Sequence, residues 1–91
     1  MSGLEPFRER LDEIDDQLVS LLGERFEVCR SVAEHKRTHG IPMMQPDRVS
    51  VVRERYLSRG SEANLPPAFT AGLFELLIAA TCEMEDELIG T

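Results

Sequence analysis

Arg25 is the first residue in the chain that poses a chemical question. It stands in the series Leu4, Phe7, Leu11, Ile14, Leu18, Leu21, Arg25, Val28, Val32, whose other members are all apolar and whose steps alternate three and four. A lone guanidinium on an apolar seam needs an anion, because an uncompensated charge out of water is costly. An internal Glu or Asp could supply it, and so could a ligand. Lys36 follows eleven positions later, roughly 20° around a helix axis and roughly 16 Å along it. Two long cations on one face can converge on a small polyanion between them. Arg8 lies about 42 Å from Lys36 along the same rod, so one straight helix cannot bring both to one small ligand. Solvated roles near the helix ends are the alternative for Arg8 and Lys36.

Other polar groups fall at helical spacing. Gln45, Arg48 and Val49 share an i, i+3, i+4 face, and Thr81 and Glu85 are at i, i+4. Glu85 belongs to the acidic run Glu83-Met84-Glu85-Asp86-Glu87, where a solvated charge is the plain alternative. His35 and His39 are also at i, i+4, but no zincin-type Glu lies between them. Near a helix C-terminus they read as solvated residues that favour the dipole. The chain has no GxGxxG or phosphate-binding loop, and no serine in a nucleophile elbow. No metal and no cofactor is therefore expected, and nucleophilic mechanisms have nothing to rest on. Cys29 and Cys82 lack ligand spacing and read as small buried hydrophobes in a reducing compartment.

The elements that must carry these residues are helices. The three-four spacing from Leu4 to Lys36 is that of a helix packed along its whole length, about 50 Å long. A compact fold of this size has a radius of gyration of only about 12 Å, so such a rod projects beyond a lone globule and calls for a second chain. Pro6 suits a first turn, flanked by Ser2 or Glu5, and the helix should stop at Thr38-His39-Gly40, with Pro42 just beyond. Gly40 to Met44 reads as a loop. A second helix fits Pro46 to Arg59, with Asp47 in its first turn, an inward face of Val49, Val52 and Tyr56, and Gly60 closing it. After a loop from Ser61 to Pro67, a third helix opens at Pro66 or Pro67 and runs to about Ile89. Its repeating apolar positions are Phe69, Leu73, Leu76, Leu77, Ala80, Met84 and Leu88. The expected architecture is all-α: three helices, very long, short and long, in a single domain spanning 1–91.

Composition narrows the partners. The 91 residues carry a net charge of −7, which disfavours nucleic acid and an anionic membrane surface. The longest uninterrupted apolar run, Leu76 to Ala80, is too short to span a bilayer. Met1-Ser2-Gly3-Leu4-Glu5 has neither the basic nor the apolar part of a signal peptide, so a cytoplasmic location is expected.

Taken together, Phe7-Arg8-Glu9-Arg10-Leu11, Ile14-Asp15, Leu21-Leu22, Glu24-Arg25 and Lys36 resemble the first helix of the all-helical chorismate mutases. Leu73-Phe74-Glu75-Leu76-Leu77-Ile78 resembles their last helix, and the likeness covers nearly the whole chain. Within the family, His39-Gly40-Ile41-Pro42-Met43-Met44-Gln45-Pro46 followed by Arg48-Val49-Ser50, and later Cys82-Glu83-Met84-Glu85-Asp86, look like the 4-amino-4-deoxychorismate mutases. Those enzymes serve p-aminophenylalanine pathways that feed antibiotics such as chloramphenicol and the pristinamycins.

The resemblance implies an intertwined homodimer with two shared active sites and a small dianionic substrate. It assigns the substrate's carboxylates to Arg25 and Lys36 of one chain and Arg8 of the other. Lys36 would also meet the ether oxygen of the breaking bond. Arg48 would complete the positive lining, Thr81 would sit near the ring carboxylate, and Glu85 would bond to the ether oxygen. Where many chorismate mutases place two acidic side chains near the C4 hydroxyl, this chain has Gln45 and Val49. That departure fits a changed C4 substituent.

The implied reaction is the Claisen rearrangement of 4-amino-4-deoxychorismate, with Lys36 and Glu85 as the catalytic pair. Glu85 can donate to the ether oxygen only when protonated, so activity is expected to fall at alkaline pH and Glu85→Gln to flatten that fall. Three alternatives stand beside this reading: a plain chorismate mutase, an isochorismate-pyruvate lyase on the same fold, and a non-catalytic helical dimer module. The last of these has no use for the cationic set Arg8, Arg25, Lys36 and Arg48.

Overall fold

A computed structural model of the chain describes residues 3–42 and 45–89. Three helices make up the described residues: α1 (Glu5–His39), α2 (Pro46–Glu62) and α3 (Pro67–Ile89). The rod foreseen from the three-four spacing is a continuous α1 of 35 residues. Leu4 flanks its start, and Pro6 sits in the first turn, where a missing N–H costs nothing. Glu5 near the start and Lys36, Arg37 and His39 near the end complement the helix dipole. The end is set by Gly40, whose φ of 64° and ψ of 28° lie in the left-handed region. Its N–H and that of Ile41 both donate to the carbonyl of Lys36, which fixes the last turn beneath the lysine. The Pro42-Met43-Met44-Gln45 connection lies partly outside the described residues.

Helix α2 corrects one expectation. It does not close at Gly60 but continues to Glu62, and the left-handed residue that turns the chain is Asn64 (φ 61°). Gly60 is buried inside the helix because α3 passes directly over it. A Cβ there would lie 2.5 Å from Thr70 Oγ1 and 2.7 Å from Thr70 Cγ2. The glycine marks a close helix crossing, and it only resembles a stop signal. Tyr56 meets Phe74 edge to face at 5.4 Å between ring centroids, on the same interface. Val49, Val52 and Tyr56 are half-buried, as the inward face requires.

Helix α3 packs against both other helices, whereas among the described residues α1 and α2 do not pack on each other. The apolar repeat expected on α3 is only partly its inward face. Phe69, Leu76 and Leu88 are exposed, and the buried stripe is Thr70, Phe74, Leu77, Thr81 and Glu85. By length and apolarity alone, the α3 segment Pro67–Leu88 could cross a membrane. A helix that packs on other helices has the same character; α3 packs on α1 and α2, which bury 22% of the segment within one chain.

The chain is long and thin. Its principal extents are 59 × 23 × 15 Å and its radius of gyration is 16.7 Å, against about 12 Å for a compact fold of this length. The buried apolar side chains are Ala33, Phe74 and Leu77. Along α1 the seam stays open to solvent: Phe7 is 68% exposed, Leu11 56% and Leu18 51%. A contiguous apolar stripe of this kind marks an interaction surface.

Candidate active site

Lys36 and Glu85 meet at the C-terminal third of α1, where α3 crosses it. Arg25, Cys29, Ala33 and Lys36 lie within an arc of about 80° on α1. Ala33 is fully buried, and its small side chain allows α3 to close against the helix. On the facing stripe of α3, Thr81 and Glu85 are one turn apart and both buried. Lys36 Nζ donates to Glu85 Oε1 at 3.2 Å, and the two side chains are 14% and 11% exposed. The ammonium and the carboxylate therefore face each other across the α1–α3 junction with little solvent between them, where a charge-assisted bond is stronger than at the surface. The acidic-run reading of Glu85 as a solvated charge does not hold: Glu83, Asp86 and Glu87 are exposed, but Glu85 points inward. The run is heterogeneous because helical spacing rotates one member in four onto the packed stripe.

Thr81 Oγ1 donates to the carbonyl of Leu77 at 2.8 Å. With its proton held by the helix, the hydroxyl offers lone pairs to whatever approaches from the cleft. Cys82 lies beside it, half-buried, and burial pushes its thiol above the ordinary range. The negative charges of Glu85 and Asp86 add to that rise, and Lys36 opposes it. Both cysteines are half-buried, not fully buried as expected.

Arg25 is half-buried, and Nη1 donates to Cys29 Sγ at 3.9 Å. Among the described residues no carboxylate lies within ion-pair distance of it. Of the two sources of an anion weighed from sequence, the internal one is not supplied by these residues. Arg25 also lines a shallow groove with Leu21, Glu24, Val28 and Cys29. A more enclosed groove lies between the end of α2 and the start of α3, lined by Tyr56, Gly60, Leu65, Thr70 and Leu73 with Arg55 and Arg59. It holds none of the residues singled out for chemistry.

One straight helix keeps Arg8 from this junction within one chain. Arg8 is exposed near the far end of α1, about 42 Å from Lys36. Gln45 and Arg48 are exposed at the start of α2, and Val49 is half-buried. Gln45 Nε2 donates to the carbonyl of Pro42 at 2.9 Å, which ties the entry of α2 to the loop that leaves α1. His35 and His39 are exposed and stack on each other at 4.1 Å, with the His39 ring bonded to the His35 carbonyl at 2.9 Å. Among the described residues no cluster of three or more His, Cys, Asp or Glu side chains could hold a metal. Cys29 and Ala33 were not singled out from sequence as part of a site. The available signal was their i+4 and i+8 spacing from Arg25, on the face that also carries Lys36.

The family described as chorismate mutase type II matches residues 7–86. A 4-amino-4-deoxychorismate mutase of Streptomyces pristinaespiralis is 35% identical over 88 residues, covering 97% of this chain and 68% of that protein. A 4-amino-4-deoxychorismate mutase of Streptomyces venezuelae is 34% identical over 83 residues, covering 91% of this chain and 81% of the relative. A chorismate mutase of Methanocaldococcus jannaschii is 32% identical over 75 residues, covering 82% and 76% respectively.

Proposed function

The chain belongs to the type II chorismate mutase family, and from that membership we propose that it rearranges 4-amino-4-deoxychorismate to 4-amino-4-deoxyprephenate. The observation that carries the proposal is the α1–α3 junction: Lys36 and Glu85 face each other, and Arg25 lies on the same face without a carboxylate among the described residues. Two relatives bearing the name 4-amino-4-deoxychorismate mutase support the substrate, as does the neutral pair Gln45 and Val49. Both relatives come from Streptomyces, which is compatible with a role in making p-aminophenylalanine for an antibiotic.

The reaction is a [3,3]-sigmatropic shift. It needs a folded, chair-like conformer and stabilisation of the charge that gathers on the ether oxygen as the C–O bond breaks ahead of C–C formation. Arg25 holds a substrate carboxylate, and Lys36 turns from Glu85 toward the ether oxygen while also meeting a carboxylate. Glu85 faces the same oxygen from α3, on the side where it now holds the ammonium. Thr81 turns its hydroxyl from the Leu77 carbonyl to donate to the ring carboxylate, and Arg48 adds positive charge from α2. The substrate is a small dianion, drawn to a local cluster of cations despite the net negative chain, because local charge governs binding.

The second half of the proposal is a homodimer with antiparallel α1 helices. Its support is the open apolar seam of α1 and the separation of Arg8 from Lys36. In such a pair, Arg8 of the partner subunit completes each site, and two equivalent sites result. The named chorismate mutase among the relatives favours a second reading, with chorismate itself as substrate. Turnover of the two compounds side by side decides between them. Loss of turnover in Lys36→Ala with the dimer intact excludes a purely structural module.

A further inference from the structure

We infer that Cys29 is a positioning residue for Arg25: its thiol fixes the guanidinium over the groove on α1 that both residues line, without neutralising it. The inference rests on the reading of Arg25 as a carboxylate-binding group. Three observations support it. Arg25 Nη1 donates to Cys29 Sγ at 3.9 Å across one helical turn. Among the described residues no carboxylate is within ion-pair reach of Arg25, so the guanidinium keeps its charge uncompensated beside the sulfur. Cys29 lies between Arg25 and the buried Ala33 on the stripe that leads to Lys36.

The chemistry of the pair is specific. An anion-binding arginine must be held in one rotamer, yet an ordinary holding group, a carboxylate at i+4, would compete with the ligand for the guanidinium. A thiol sulfur is a weak, neutral acceptor. It takes one of the five N–H groups and leaves the fork of the remaining donors, and the whole charge, for a substrate carboxylate. Its apolar bulk also covers the inner side of the arginine stem, which suits a half-buried position.

The test compares Cys29→Ser, Cys29→Ala and Cys29→Asp in the full chain. Turnover kinetics, calorimetric binding of the substrate and thermal melting are measured on each. Cys29→Ser keeps an acceptor and is expected within twofold of wild-type KM. Cys29→Ala loses it and is expected to raise KM three- to tenfold with kcat changed less than twofold. Cys29→Asp supplies a competing carboxylate and is expected to raise KM more than tenfold, with its melting temperature at or above that of Cys29→Ala. Wild-type KM in Cys29→Ala or in Cys29→Asp overturns the inference. So does equal impairment of Cys29→Ser and Cys29→Ala, which would assign the thiol to packing. A wild-type chain that binds the dicarboxylate without rearranging it refutes the reaction proposed above, and the Cys29 comparison is then read as the ratio of dissociation constants.

Discussion

Lys36→Met separates the two things Lys36 does. In the folded chain its ammonium compensates Glu85 at 3.2 Å, with the carboxylate side chain only 11% exposed. Removing one partner of a fully buried pair typically costs 3–5 kcal/mol. Because both side chains keep some solvent contact, the loss expected here is about 2–3 kcal/mol. The catalytic loss is a second quantity: one preorganised donor at a developing oxyanion is worth about 3 kcal/mol, or roughly two orders of magnitude in rate. The double variant Lys36→Met/Glu85→Gln tells them apart. It carries no uncompensated charge at the junction, so its stability should return to within about 1 kcal/mol of the parent, and its rate should stay low. Urea titration followed by circular dichroism gives the first quantity, and loss of the substrate's diene absorbance gives the second. Retention of more than a tenth of wild-type kcat/KM in Lys36→Met would refute the role of the ammonium. Recovery of rate together with stability in the double variant would show that Lys36 acts only through folding.

Other consequences are equally direct. Gly60→Ala places a methyl group 2.5 Å from Thr70 Oγ1, so despite the better helix propensity of alanine it should destabilise by about 1–2 kcal/mol. Adding Thr70→Ala should restore most of that loss in the same melting experiment. Leu11→Asp changes a side chain that is 56% exposed in one chain, where a surface substitution is worth about 0.5 kcal/mol or less. If α1 is the dimer seam, sedimentation should instead show monomers and turnover should vanish; an active dimer would rule the seam out. The raised Cys82 thiol stays protonated in the folded state at pH values where the unfolded thiol ionises. The unfolded state therefore binds fewer protons in that window, and stability falls as pH rises from the ordinary thiol range through the raised value. Cys82→Ser should remove this part of the slope in melting curves between about pH 8 and 10.

The outline of the fold was legible because α1 obeys one rule along its whole length. Its three-four seam, Pro6 near the start and Gly40 at the end are local signals, and the structure places the helix where they put it. Gly60 was misread for a physical reason. A glycine near a helix end can stop the helix or admit a neighbour, and only the neighbour, Thr70, tells the two apart. The inward stripe of α3 was obscured similarly. A search for apolar repeats selects Phe69, Leu76 and Leu88, whereas the packed face is built partly from Thr70, Thr81 and Glu85. A face that borders a polar site does not announce itself by hydrophobicity. Arg25 was conspicuous as the one break in the seam, and what sequence could not supply was whether an internal acid waited beside it. Arg8 stays apart from Lys36 within a single chain, as the arithmetic of helix rise requires.

Competing turnover is the measurement closest to the central claim. Purified wild-type chain is supplied with chorismate and 4-amino-4-deoxychorismate in separate and mixed reactions, and kcat/KM is determined for each. The proposal predicts a higher kcat/KM for the 4-amino compound, by at least tenfold, with 4-amino-4-deoxyprephenate as the product. Equal or greater efficiency with chorismate would contradict the assigned substrate, and turnover of neither would contradict the assigned reaction.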